Sequence, residues 1–442
     1  MASEIIPQPA ATTGLGRFVE QYGSTVIVQG LTLGLGILTG ILSARMLGPA
    51  GRGEYAAIVI WPTGIASFLA LGINQAVVYH LGQRTLNGSE MATATATIGL
   101  IQSFLSVVIG LIVIPTVLAR YSLQVRQLGI LFVLCTPALI FSMYPANLFQ
   151  GGQDLLKFNV IRVAAPFSYA IGLVALYVAH RGSLVRVIQS QLAGYLFALG
   201  LGFFLVWRFL RPRMQWNGSA IPHLFHYGCR IQGLSIATYF NQRVDQLVLS
   251  LLVPPRELGL YAIAVTLSIT VAVFPQAAGI VAFSRGASQQ GEHAKATIGV
   301  AFRSSLAWLA AACGGLYLLA PFLIHFVFGG AFDGSILACR ILLPGAFVTG
   351  LNFVLYNAAS ALGRPILASY AESASVLVTA GGLYLLVPHY GYIGAAIVSS
   401  VAYTVSFLVM LILAHRLLGL NLRVLLFGGL RPAQPGNTRS IS

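Results

Sequence analysis

The sequence predicts an all-α polytopic membrane protein: about twelve transmembrane helices in two pseudo-symmetric six-helix bundles around a central cavity. Three observations predict it. The chain has 442 residues, 57% hydrophobic and only 8% charged, whereas an ordinary soluble domain carries about 25% charged residues. The apolar residues come in blocks of about 20 between short polar breaks, the length at which a helix crosses a bilayer. The blocks are apolar throughout, while barrel strands would alternate apolar and polar residues. A soluble enzyme is excluded, and so is a disordered chain, which requires low hydrophobicity.

Spans are predicted at 24–43, 55–79, 94–118, 128–149, 158–179, 187–207, 228–252, 258–282, 297–320, 336–361, 366–387 and 392–414. Twelve spans of ~22 residues take up about 264 residues, so the loops are short and no soluble domain fits. The first 23 residues do not read as a signal peptide. Glu4, Pro7 and Pro9 interrupt them, and no apolar core precedes a small-residue cleavage site.

Orientation follows from Lys and Arg outside the spans, with 13 on the side of the termini and 7 on the other. Both termini are therefore expected to be cytoplasmic. The second half carries this asymmetry through Arg208, Arg211, Arg213, Arg285, Lys295, Arg364 and the tail. The first half reverses it, because Arg45, Arg52, Arg120, Arg126, Arg181 and Arg186 fall on the far side. The formal charge of +15 is mainly a topology signal, not a nucleic-acid surface. Cys135, Cys229, Cys313 and Cys339 are scattered singly, and His223 and His226 have no carboxylate nearby. No metal site and no cofactor are expected.

The chain repeats itself at an offset of about 206 residues. Pro49, Gly53, Tyr55, Ala56 and Val59 recur as Pro255, Gly259, Tyr261, Ala262 and Val265. Each set lies on the turn from the first to the second span of its half. The expected organisation is a first bundle at 1–207, a cytoplasmic linker at 208–222 and a second bundle with a short tail at 223–442. Two like-oriented bundles imply a pseudo-twofold axis along the membrane normal and a cavity opening alternately to either side. Gly30, Gly34, Gly36 and Gly40 suit close helix approach on the first span. Pro62, Pro137, Pro166, Pro275 and Pro344 predict kinks.

Four stretches, in order along the chain, carry a resemblance. Ala44–Ala56 (ARMLGPAGRGEYA) resembles the segment after the first helix of polysaccharide biosynthesis flippases, within the multidrug/oligosaccharidyl-lipid/polysaccharide exporter superfamily. Asn241–Gln246 with Gly259–Tyr261 is similar to that family's seventh-helix signature. Ala361–Pro365 and Tyr390–Ala396 match two further stretches. The resemblance implies translocation of an undecaprenyl-pyrophosphate-linked oligosaccharide across a bacterial inner membrane for surface polysaccharide assembly. It also implies membrane lipids and polysaccharide polymerase machinery as partners. Some relatives carry fourteen spans, two more than are found here.

Ionisable groups inside spans are costly and normally face a cavity or a partner. On the seventh span Arg230, Gln232, Asn241, Arg243 and Asp245 cannot all face lipid. The implied cargo presents a pyrophosphate, sugar hydroxyls and a prenyl tail. Arginine's planar fork suits phosphate, and Asn and Gln suit hydroxyls. The phosphate candidates are Arg162, Arg230 and Arg303; the sugar candidates are Asn74, Gln75, Gln150 and Asn241. The resemblance further implies Na+ or H+ coupling among helices seven, eleven and twelve. Asp245 would anchor the ion, with Glu372 and Thr404 completing the oxygen set. The alternatives are a buried ion pair for Asp245 and a solvated interfacial position for Glu372.

Two competing functions remain open. A drug or organic-cation antiporter of the same superfamily would want an acidic cavity, and the chain holds ten carboxylates in all. A membrane polysaccharide polymerase would want a large outer loop with paired acidic residues, and the outer loops here are short. No Ser/His/Asp or two-carboxylate arrangement is recoverable, so no enzyme is expected.

Overall fold

The computed structural model describes residues 14–83, 88–211, 218, 220–288, 292–420 and 425–426. The side chain of Arg230, residues 212–217 and 219 of the expected linker, and the last sixteen residues lie outside the described residues. All regular structure in the described residues is helical. In a bilayer a spanning segment must satisfy its own backbone groups, which leaves helices for a chain without barrel strands.

Helices α1 (Gly14–Leu69), α2 (Ile73–Gly82), α3 (Gly88–Val117), α4 (Leu123–Leu134), α5 (Thr136–Gly151), α6 (Leu155–Val178) and α7 (Leu184–Leu205) make the first six passes. A π-helical turn, Val206–Leu210, extends α7. Then follow α8 (Ala220–Leu252), α9 (Pro255–Thr270), α10 (Val273–Ser288), α11 (Glu292–Leu323), α12 (Ser335–Ala361) and α13 (Ile366–Leu418). Among the described residues eight helices are long and apolar enough to cross a membrane, and α9 with α10, bent by 44°, forms a ninth candidate. Two of the eight are double passes. The apolar parts of α1 and α13 run to 43 and 53 residues, about twice what a ~30 Å hydrocarbon core requires. With α8, every predicted span falls on one helix or on two consecutive ones.

Both double passes turn at a glycine. Gly48 (φ 66°, ψ 179°) divides α1. Pro49 denies the α conformation to the residue before it, and glycine takes the positive φ without a Cβ penalty. Pro49 then opens the second arm, where its missing N–H leaves no bond unmade. Gly391 (φ 54°, ψ −136°) divides α13. There the Tyr392 N–H donates to Glu257 Oε2 at 3.3 Å, which puts a carboxylate at the favoured end of the helix dipole.

Packing contacts divide the chain into two compact units. The first holds Met1–Thr266, Phe322–Ser335 and Val387–Tyr392; the second holds Leu267–Pro321, Ile336–Leu386 and Ile393–Ser442. In the second unit Phe302, Ile298 and Leu309 pack with Ala358, Ala371 and Ala414. A Cβ on Gly345 there would lie 2.8 Å from Ser400 Cα. Lipid tails are as apolar as leucine, so such small residues, rather than water exclusion, let the helices associate.

In the first unit α8 meets the break between α1 and α2. Gly72 (φ 64°) and Gly228 touch backbone to backbone: a Cβ on either would lie 2.3 Å from a carbonyl oxygen, Gly228 O or Leu71 O. Gln232 Nε2 donates to the carbonyls of Ser67 (3.3 Å) and Phe68 (3.1 Å). The glycines expected to pack on the first span behave otherwise. Gly30, Gly34 and Gly36 have nothing within 4 Å of an added Cβ, and Gly40 meets only Thr266 Cγ2, at 3.7 Å. The glycine face of this arm borders open space, because its contacts within the unit are made by other residues, Gln29 with Arg162 among them.

Gly72→Ala or Gly228→Ala should sharply reduce the monodisperse, folded fraction recovered in detergent. Gly314→Ala, which has open space, should leave it at the wild-type level. Fluorescence-detected size exclusion of tagged protein measures both.

Candidate functional site

Six predicted site residues sit with described side chains in the first unit. Arg162 is exposed on α6, and its Nη2 donates to Gln29 Oε1 on α1. The guanidinium also lies 5.9 Å from the Phe158 ring centroid. Asn74 on α2 accepts from Asn147 Nδ2 on α5 at 2.8 Å, so its carbonyl already holds a partner. Gln75 is exposed and Gln150 half-buried. Asn241 is buried within α8, and Arg230 lies on the same helix, its side chain outside the described residues.

Asp245 is 3% exposed. Its Oδ1 accepts from the Gln246 N–H at 2.7 Å, and its Oδ2 accepts from the hydroxyl of the fully buried Tyr261 on α9. A buried carboxylate requires such donors. Tyr55, the repeat counterpart of Tyr261, is engaged differently. It donates to Gln191 Oε1 (2.8 Å) and accepts from Tyr169 (3.1 Å), while Gln191 Nε2 donates to Tyr195 (3.2 Å). The Arg52 guanidinium stacks 4.8 Å above the Tyr55 ring.

An apolar cavity of about 270 Å³ opens between α3, α5 and α7, lined by Ala92, Thr93, Tyr144, Leu148, Phe203 and Trp207 among others. The Thr93 and Thr95 hydroxyls donate to Ser89 O and Met91 O within α3, so the cavity wall there is methyl-faced.

The second unit holds Arg303, half-buried on α11, together with Glu372 and Thr404. Tyr356 on α12 donates to Glu372 Oε1 at 2.9 Å and lies 2.9 Å from Ser406 Oγ. Asn352 Nδ2 donates to Ser406 Oγ at 3.3 Å, and its buried Oδ1 has no hydrogen-bond partner. Thr404 returns its hydroxyl to Ser400 O at 2.8 Å, so the group meeting Tyr356 on this arm of α13 is Ser406. Among the described residues no three His, Cys, Asp or Glu side chains cluster as a metal site.

Sequence reasoning missed Gln29, Asn147, Asn352, Tyr356, and the Tyr169–Gln191–Tyr195 network. Only the recurrence of Tyr55 as Tyr261 hinted at the last.

Long apolar helices and broken passes together define a multi-pass membrane protein. A family model for polysaccharide biosynthesis proteins matches residues 18–283, more than half of the chain, and the chain belongs to that family. It is 21% identical over 378 residues to a candidate O-antigen transporter of Shigella flexneri, covering 80% of this chain and 87% of that one. Solved structures share the fold. The lipid II flippase MurJ in an inward closed conformation aligns with a TM-score of 0.74 at 16% identity, covering 87% of this chain and 86% of that one. An inward-facing multidrug resistance MATE family transporter of the MOP superfamily aligns at 0.65 and 15% identity, covering 86% and 94%.

Tyr261→Phe removes a hydrogen bond to a charged group and should lower stability by about 1.5–3 kcal/mol. Tyr55→Phe, within a neutral network, should cost about 1 kcal/mol. Denaturant titration in lipid nanodiscs measures both.

Proposed function

We propose that the protein flips an undecaprenyl-pyrophosphate-linked oligosaccharide across the bacterial inner membrane by alternating access, with both termini cytoplasmic. The observation that carries this reading is an open face of the first unit that presents an exposed arginine within a span. There Arg162 reaches Gln29 beside an arm of α1 whose glycines border open space. A guanidinium supported by an amide, with donors to spare, suits a pyrophosphate. Exposed Gln75 and half-buried Gln150 suit sugar hydroxyls, and the methyl-faced cavity beside α3 suits the prenyl tail. The buried Asp245–Tyr261 pair and the half-buried Glu372–Tyr356 pair are the coupling-ion candidates for Na+ or H+. The MATE-like fold favours a second reading, an organic-cation antiporter. That cargo would want a carboxylate where the described face presents Arg162.

In a strain lacking the gene, wild-type protein should restore surface polysaccharide. Arg162→Ala should slow the appearance of lipid-linked repeat units on the outer leaflet by about tenfold or more, as expected from losing a charge-assisted contact of ~1.5–3 kcal/mol. Arg162→Lys should retain part of the rate. Normal assembly by Arg162→Ala at wild-type protein levels sinks the phosphate assignment. Normal arrival of repeat units in the deletion strain sinks the flippase reading itself.

A further inference from the structure

The two copies of the internal repeat meet face to face in the first unit. A Cβ on Gly53 would lie 1.7 Å from Pro255 O and 2.9 Å from Gly259 N. A Cβ on Gly259 would lie 1.9 Å from Pro49 O and 3.0 Å from Gly53 N. Each proline carbonyl therefore occupies the place of the other copy's missing side chain. The glycine Cα–H groups point at those carbonyls as reciprocal C–H···O contacts.

Junctions between passes at this rim are tied around the pair. Arg45 Nε donates to Val327 O at 2.7 Å, Arg120 Nη1 to Leu251 O at 2.8 Å, and Tyr121 to Ser250 O at 2.8 Å. Glu257 holds the Tyr392 N–H, Tyr392 donates to Gly334 O at 3.1 Å, and Gly182 packs on Met46. Arginine and tyrosine side chains can follow a partner through a rotation. A backbone-to-backbone contact without side chains cannot: it is made whole or lost.

We propose that Gly53 and Gly259 form a two-sided backbone latch that closes the rim distal to the termini and parts once per transport cycle. Its parting in a cycle rests on the alternating-access reading, but the latch belongs to the chain's own backbone and is testable without cargo.

The test uses full-length protein in nanodiscs, with the four native cysteines replaced by alanine and nitroxides at Ala50→Cys and Arg256→Cys. Both positions are exposed, one on each copy of the repeat. The otherwise wild-type chain should give a predominantly short distance. Gly53→Ala and Gly259→Ala should each add a longer population, and Gly200→Ala, which has open space, should not. Wild-type distances in both latch variants overturn the proposal. Should those variants fail to fold, the decision falls to a short bismaleimide tether joining the Ala50→Cys and Arg256→Cys thiols in a chain with both latch glycines intact. Arrest of export in tethered cells supports the latch, and undiminished export overturns it. A distance shift in protein that moves no lipid-linked cargo would leave the latch standing and remove only the flippase reading.

Discussion

The constraint on which the structure depends is that backbone polar groups have no water to turn to inside a bilayer. An unbroken helix meets it internally. This chain breaks its helices repeatedly, and side chains distant in sequence fill the gaps. Carbonyls freed where α1 gives way to α2 receive Gln232 Nε2 and, at Ala70, Gln102 Nε2. Val271 O, between α9 and α10, receives Trp308 Nε1 at 3.1 Å. Leu417 O, at the end of α13, receives Arg364 Nη1 at 3.0 Å. Each break is thus a point where one helix needs another, and the packing is specified there more tightly than by apolar surface alone.

The same need explains the charge distribution. Passes ending at the distal rim present C-terminal carbonyls, the negative ends of their dipoles. Arg45 answers the carbonyls after α11, Arg120 those of α8, and Arg186 the Arg181 carbonyl beyond α6. Tyr121 joins them; burial pushes its phenol up to about 12, so it stays protonated and keeps donating to Ser250 O. The six arginines that blur the topology count in the first half therefore include three committed to helix ends. A rule that counts loop charges reads them as orientation signals, although their work is structural.

The twelve spans were legible because twenty apolar residues in a row have few other fates. The breaks were not. Leu71, Val271 and Ala272 are as apolar as their neighbours and give no punctuation. Proline was an uneven guide: Pro137 and Pro275 lie in the first turn after a break, whereas Pro62, Pro166 and Pro344 sit inside helices that continue through them. A helix can lose one hydrogen bond at a proline and still continue. In the site, Arg162 and Asp245 stood out because charge is rare in a span. Gln29, Asn147 and Tyr356 did not, since a neutral polar side chain acquires meaning only from the partner that folding brings to it.

The face-to-face proline and glycine pairs have one more consequence. Residue 53 touches 255 while 259 touches 49, the self-complementary pattern of a twofold dimer interface. Two copies of a single six-helix chain would make the same contact with one set of residues, and any change would strike both sides at once. In one polypeptide the two sides are separate positions, each able to change alone. The two copies match at proline and glycine, while Tyr55 and Tyr261 have different partners, so the repeat is kept at the backbone contact and lost in the side chains beside it.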